Sequence, residues 1–213
     1  MIPNAISKYL EQHNARYSVL SHTTAYTAQE EAAAAHVPGR EWAKTVVCFA
    51  DGQPILAVLP APFAVDLHRL RRTAHARSIR LAREHEFATL YQDCEPGAMP
   101  PLGPLYGQPV FVDKRLTTDP EVSFSAGSHH DAIRMPYREF ERLAKPTVAE
   151  FALDPSQLSA LRMAMLIDPV CGAPIAEDGA LAWSEHQGER YYFCSQGCKM
   201  EFDDNPHAYT TPR

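Results

Sequence analysis

Three thiols stand close together near the end of the chain, Cys171, Cys194 and Cys198, in the spacing Cys-x22-Cys-x3-Cys. Residues four apart share one face of a helix. Cys194 and Cys198 can therefore turn both sulfurs toward one ion, with Cys171 arriving from a preceding knuckle. A redox pair, or small cysteines packed in a minor core, would give the same pattern. A closed structural zinc site takes four ligands, and Asp168, His186 and His207 are the nearby candidates for the fourth. Upstream, only Cys48 and Cys94 are found, so any chemistry there needs other groups.

Three features upstream supply such groups. Lys44 precedes the apolar run Val46–Phe49, and a lysine at a strand start can anchor a phosphate or a carbonyl oxygen, or simply face solvent. The stretch Gly97-Ala98-Met99-Pro100-Pro101-Leu102-Gly103-Pro104 holds two glycines and three prolines. Proline stiffens a backbone and glycine lets a ligand approach it, so this loop can hold carbonyls against a substrate amine or a water, or be a plain connector. Gly127-Ser128-His129-His130-Asp131 offers a histidine that can donate a hydrogen bond or act as a base, and it also reads as a turn. No G-x-S-x-G, Walker loop, G-x-G-x-x-G or H-E-x-x-H motif is present.

The elements that must position these groups are legible from periodicity. Ile6, Tyr9, Leu10 and His13 form the stripe of an amphipathic helix, and Tyr17–Leu20 reads as a strand. Thr27 and Glu30 form a capping box opening an Ala-rich helix that ends near Pro38-Gly39. Apolar runs at 45–50 and 55–59 flank Asp51-Gly52, a hairpin signal. Asp66 caps a helix carrying Leu67 and Leu70. Short strands are expected at Ile79–Leu81, Val110–Val112, Val122–Phe124 and Ile133–Met135, and helices at Glu84–Tyr91 and Tyr137–Leu143. The stretch from Lys145 to about Ser159 reads as a connector, in part helical. A hairpin about Gln187-Gly188 and a helix from Ser195 complete the tail. Short strands mixed with helices without regular alternation predict an α+β fold around a mixed, barrel-like sheet flanked by helices, with a small cysteine-containing module behind it.

A length of 213 residues suits one medium domain and one small one. The expected division is residues 1–150, a linker at 151–163, and residues 164–213. The first part carries 16 Lys and Arg against 17 Asp and Glu, and residues 151–213 carry 4 against 9, so the tail holds most of the net charge of −6. An acidic tail is a poor partner for nucleic acid. The larger part has one basic stretch, with Arg69, Arg71, Arg72, Arg77, Arg80 and Arg83 and no carboxylate between Asp66 and Glu84. It suits phosphate contacts or a solvated helix face. No apolar run approaches the roughly 20 residues of a membrane span. The N-terminus lacks the pattern of a signal peptide, so a cytoplasmic protein with reduced thiols is expected.

In order along the chain, His22–Thr27, Ala43–Val47, Val58–Ala61, Gly97–Gly103, Val110–Asp113, Ala126–His129 and Ile133–Met135 resemble the YbaK type, the prolyl-tRNA synthetase-associated editing domain. The resemblance covers about residues 1–150. It implies hydrolysis in trans of the ester between a wrong amino acid and tRNA, most simply a small amino acid on tRNA for proline. One methylene gives a synthetase pocket only about 1–3 kcal/mol of discrimination, which is why a second sieve is needed. It further implies that Lys44, Gly97, Pro101 and His129 form the active site, with Thr45, Met99 and Gly127 lining it. Arg69, Arg72 and Arg80 are then candidates to touch an acceptor stem. No cofactor is required, since an activated ester mainly needs a placed water and a stabilised oxyanion. No side chain is assigned as general base, because some members of that family are thought to use the ribose hydroxyl of the substrate. Aminoacyl-tRNA is the expected partner, delivered by prolyl-tRNA synthetase or an elongation factor.

The tail carries a second resemblance. Asp168–Gly172, Tyr191–Ser195, Cys198, Phe202 and Asn205–Tyr209 look like a YHS domain, which implies a treble-clef-like module holding zinc or another thiophilic metal on Cys171, Cys194 and Cys198. A different reading remains open at this level: a metal-responsive sensing protein whose larger domain is a non-catalytic scaffold.

Overall fold

The computed structural model describes residues 2–154, 156, 166–175 and 180–210. Most of the expected linker lies outside the described residues. The chain begins with α1 (Asn4–Gln12), β1 (Ser18–Ser21) and α2 (Ala28–Ala34). A long hairpin follows, β2 (Ala43–Ala50) and β3 (Gln53–Pro60), then β4 (Ala64–Val65), α3 (Leu67–Thr73), β5 (Ile79–Leu81) and α4 (Glu84–Leu90). Next come β6 (Val110–Asp113), β7 (Glu121–Ser125), β8 (Asp131–Pro136), α5 (Tyr137–Ala144), β9 (Thr147–Ala149) and β10 (Ala152–Leu153). The tail holds β11 (Leu166–Ile167), β12 (Pro174–Ile175), β13 (Ala182–His186), β14 (Glu189–Phe193) and α6 (Gln196–Asp204).

The fold is α+β. A five-stranded mixed sheet runs β5-β2-β3-β6-β9, with β3, β6 and β9 parallel and the other pairs antiparallel. A three-stranded antiparallel sheet runs β1-β8-β7, and a single bridge from Trp42 to Ser123 links the two. The sheets stay open, and none closes into a barrel among the described residues. The described part of the connector starts as strand, and Ser156 further along is helical. Lys145 takes a left-handed φ of 48° at the end of α5, and Pro146 cannot continue a helix. The β-branched Thr147 and Val148 then add β9 to the sheet edge.

Side chains alternate across a strand, and here the alternation feeds two cores. Val47, Leu56, Val58, Val110 and Val112 face one, with Ile6, Leu10, Phe124 and Phe140. Cys48, Ile55, Ala57, Leu59 and Phe111 face the other. That second core also contains Leu70, Phe151, Val170, Cys171, Phe193, Cys198 and Phe202, so the cysteine module covers the back of the sheet. Burial on both faces explains why β3 reads as an unbroken apolar run. Asp113 fastens the crossing point: its fully buried carboxylate accepts from the Phe151 and Ala152 amides at 2.8 and 2.7 Å.

The module docks on the basic stretch. Ser195 caps α6 and its hydroxyl donates to the Arg77 carbonyl at 3.2 Å. Gly197 lies so near that carbonyl that a Cβ would come within 2.3 Å of its oxygen. Gly197→Val is therefore expected to push α6 off the sheet and lower stability by about 2 kcal/mol. Urea unfolding checks this, and an unchanged midpoint would mean that the contact gives way freely.

Candidate functional site

Lys44 opens β2, opposite Leu59, on the face it shares with Val46 and Cys48. Its ammonium is half-buried and donates to the Ala61 carbonyl at 3.2 Å. Burial lowers its pKa from the ordinary lysine value, because a desolvated charge is disfavoured. Lys44 lines a cleft on either side, and an ammonium has three N–H donors, of which Ala61 takes one. The smaller, about 260 Å³, is lined by Thr27–Gln29 and Ala61–Ala64, and the larger, about 500 Å³, runs back toward the cysteine module. On the neighbouring position, Thr45 Oγ1 is buried without a hydrogen-bond partner in the protein. Alternation along β2 turns this hydroxyl to the face opposite Lys44, so it lines neither cleft.

His129 forms a second station. Its Nε2 lies 3.0 Å from the Pro96 carbonyl and its Nδ1 3.1 Å from the Glu31 carboxyl. A carbonyl only accepts, so Nε2 donates, and Nδ1 meets a Glu31 carboxyl oxygen. Glu31 also accepts from Ser125 at 2.7 Å, and the His129 amide donates to Glu95 at 2.7 Å. Both ring nitrogens are thereby engaged, and the ring is a brace rather than a poised base. It holds the Gly97 loop, whose amide meets Met99 Sδ at 3.2 Å, and Tyr26 lies against it with ring centroids 5.1 Å apart. Pro101 is buried behind this loop. Gly127 is buried under the N-terminal segment, where a Cβ would come within 2.6 Å of Pro3. Among the described residues, His129 lines neither of the two clefts at Lys44. Tyr26 packs on His129, while the residues that follow it, Thr27–Gln29, line the smaller Lys44 cleft.

The arginines separate. Arg69 and Arg72 lie exposed on α3, where Arg69 pairs with Asp66 at 3.2 Å. Arg80 is turned inward. It is paired with Glu86 at 2.8 Å and Glu201 of the tail module at 3.5 Å, and its guanidinium lies over Phe49. The hydrogen bond to Arg80 holds the Glu86 carboxyl at about 2.

In the tail, Asp168, Cys171, Cys194 and Cys198 bring one ligand atom each within 4.8 Å of one another. The Cys171 and Cys194 sulfurs are 3.5 Å apart and the Cys194 and Cys198 sulfurs 4.0 Å. Two thiolates on a tetrahedral zinc, at about 2.3 Å each, sit about 3.8 Å apart, so the spacing fits. Hydrogen bonds from Cys171 and then Cys194 draw the Cys198 thiol down toward thiolate. Burial, and next the Cys198 charge, push Asp168 up. Three sulfurs and a carboxyl oxygen converging in a buried site form a donor set that suits a thiophilic cation. Asp168 also shapes the knuckle, accepting from the Val170, Cys171 and Cys194 amides. His186 and His207 stand outside the cluster and pack on each other, centroids 5.0 Å apart. Cys48, by contrast, is a core thiol that burial pushes up to about 12.

Glu31 and Glu95 were not foreseeable as braces of His129. Only the capping box, which fixes the phase of α2, hinted that one of its glutamates points inward.

An α+β domain with a lysine cleft, backed by a module with a buried three-thiol and carboxylate set, is the class this fold and these sites define. Residues 22–143, more than half of the chain, match the aminoacyl-tRNA editing domain family, and residues 166–213 match the YHS domain. The chain belongs to the aminoacyl-tRNA editing domain family and carries a YHS domain at its end. Among solved structures it is similar to a candidate trans-editing enzyme for prolyl tRNA synthetase, at 23% identity and TM-score 0.61 over 70% of this chain and 95% of that one. The hypothetical protein APE2540 is 20% identical with TM-score 0.64, over 70% of this chain and all 100% of that one. A candidate signal transduction protein from Marinobacter aquaeolei VT8 is 22% identical with TM-score 0.59, over 77% of this chain but 35% of its own. No curated protein matches the chain.

Proposed function

We propose that the protein hydrolyses the ester of mischarged aminoacyl-tRNA in trans, and that a small wrong amino acid on tRNA for proline is its substrate. The observation that carries this reading is the half-buried Lys44 ammonium, bonded to a single carbonyl, where two clefts of unequal size meet. The smaller cleft suits a small amino acid and acts as the second sieve. The ester then falls at Lys44, which stabilises charge building on its oxygen as water adds. Collapse breaks the acyl C–O bond and releases the amino acid and a free tRNA 3′ end. Thr45 points to the other face of β2 and is given no part in the step at Lys44. The Gly97–Pro101 loop, which includes Met99, is fixed by His129 next to Gly127 and stands apart from the two Lys44 clefts. Proton transfer is left to the substrate ribose hydroxyl and solvent, since both nitrogens of His129 are engaged. Arg69 and Arg72, exposed on α3, are the arginines placed to meet tRNA phosphates. A synthetase or elongation factor would deliver the acidic protein its substrate in the cytoplasm. No helix among the described residues is long and apolar enough to cross a membrane.

In the tail, Cys171, Cys194, Cys198 and Asp168 would hold zinc or a similar ion. Its role there is to cross-link the knuckle to α6, as structural zinc does in small modules. Purified protein incubated with alanyl- and cysteinyl-tRNA for proline, beside a wider panel of aminoacyl-tRNAs, is expected to release amino acid from at least one. A panel with no deacylation above the spontaneous rate would overturn the reading.

A further inference from the structure

The wall of the larger Lys44 cleft includes Val170, Cys171 and Gly172, the knuckle of the cysteine module. Cys171 thus belongs both to the cleft and to the thiol cluster. We propose that Cys171 and Cys194 form a reversible oxidation site, closed to a disulfide by a hydroperoxide, and that closing it draws the knuckle back from Lys44. The cleft then answers to the redox state of the module behind it.

Geometry selects the pair. The Cys171 and Cys194 sulfurs are 3.5 Å apart, against 4.0 Å for Cys194 and Cys198. A disulfide needs about 2.0 Å, so a closure of about 1.5 Å, shared by both residues, is enough. Cys171 stands on a turn and Cys194 on a bend, and such segments shift more readily than a helix. Cys198 is fully buried inside α6, its amide bonded to the Ser195 hydroxyl. Cys194 is half-buried where the other two are buried, so it meets a small oxidant first. Cys94 is half-buried too, but its sulfur meets the Tyr106 hydroxyl at 3.4 Å in place of a second thiol. The Cys194 sulfur attacks one peroxide oxygen, the O–O bond breaks, and a sulfenic acid and hydroxide form. The Cys171 sulfur then attacks the Cys194 sulfur, the S–S bond forms and a second hydroxide leaves. The two thiol protons turn both hydroxides to water, and the two electrons lost by the cysteines reduce the peroxide. Only Cys198 and Asp168 then remain as donors, too few to close around an ion. Cys194 does not line the cleft, so the pull on Cys171 is away from Lys44.

The full chain, supplied with zinc, is treated with hydrogen peroxide, and its free thiols are capped before digestion and mass mapping. A peptide linking Cys171 to Cys194 is expected, with Cys198 capped as a thiol and zinc released in step. Dithiothreitol with added zinc is expected to restore the starting state. Cys94→Ser, which leaves the cluster intact, is expected to give the same link. Amine labelling of the same samples should modify Lys44 several times faster in the cross-linked form. Thiols that all stay free, zinc released without the link, or a link to another cysteine would overturn the site. A Lys44 labelling rate unchanged by the link would overturn its coupling to the cleft. The release arm alone rests on the proposed metal: the same link in protein that binds no zinc supports the site and sinks only the metal. None of these readouts needs deacylation, so failure of that reaction leaves the result standing.

Discussion

Lys44→Ala is expected to lower kcat/KM for hydrolysis of a mischarged aminoacyl-tRNA by about 100-fold, some 3 kcal/mol of transition-state stabilisation. The size follows from the setting. An ammonium in water is worth little to a nearby anion, but Lys44 is partly desolvated and meets one carbonyl, that of Ala61. Its charge acts across a cleft wall of low polarity, where Coulomb energies are several times those in water. Folding should not suffer, because the change removes a charge whose burial is unfavourable, and the melting temperature should stay or rise. Lys44→Arg should not rescue the rate. A guanidinium is wider and planar, and Thr27 and Pro62 border the smaller cleft. Burial lowers the Lys44 pKa, so the ammonium form is lost at lower pH than in a solvated lysine. The alkaline arm of the wild-type rate profile should therefore fall early. Wild-type kcat/KM in Lys44→Ala would remove this residue from the site.

What the sequence disclosed, and what it withheld, divides along the range of the interactions. The Thr27–Glu30 capping box, the Asp66 cap, the Asp51-Gly52 hairpin and the turn at Gln187-Gly188 are settled within a few residues, and all form. The ordered blocks from His22 to Met135 pointed to the family because many short matches fell in sequence. The partners of the site residues were not legible, because they come from far along the chain. Glu31 reaches His129 across 98 positions and Ser195 reaches Arg77 across 118. Arg80 looked available for tRNA because its carboxylate neighbours, Glu86 and Glu201, lie outside the basic run. The choice among Asp168, His186 and His207 likewise needed the knuckle, in which three backbone amides pull the aspartate inward. Most consequential was the second face of the five-stranded sheet. Alternation along β2 shows that Cys48 faces away from Val47, but nothing local says that Cys198 and Phe202 come to cover it.

That shared core governs the second large effect expected, at Cys198. Cys198→Ala should abolish tight metal binding and lower stability by about 4 kcal/mol, a fall of roughly 10 °C in Tm for a chain of this length. Two losses combine. A site reduced to two thiolates and a carboxylate no longer closes around an ion. The sulfur itself is fully buried beside Phe193 and Phe202, so the truncation leaves a small void. Chelation of the wild-type protein should reproduce the first loss without the second, giving a smaller fall. The shape of the transition carries as much information as its midpoint. A module joined only by a linker would melt separately, in two steps. Here Val170, Cys171, Phe193 and Phe202 pack in one cluster with Ala57, Leu59 and Phe111 of the sheet, so loosening the module also bares the sheet. A single calorimetric transition that moves as a whole is the expected result, with deacylation falling as the wall of the Lys44 cleft is lost. Metal analysis of protein purified without chelator, together with scans in the presence and absence of chelator, decides it. Metal-free wild-type protein with a Tm indifferent to added zinc would sink the metal site, and two separate transitions would sink the shared core.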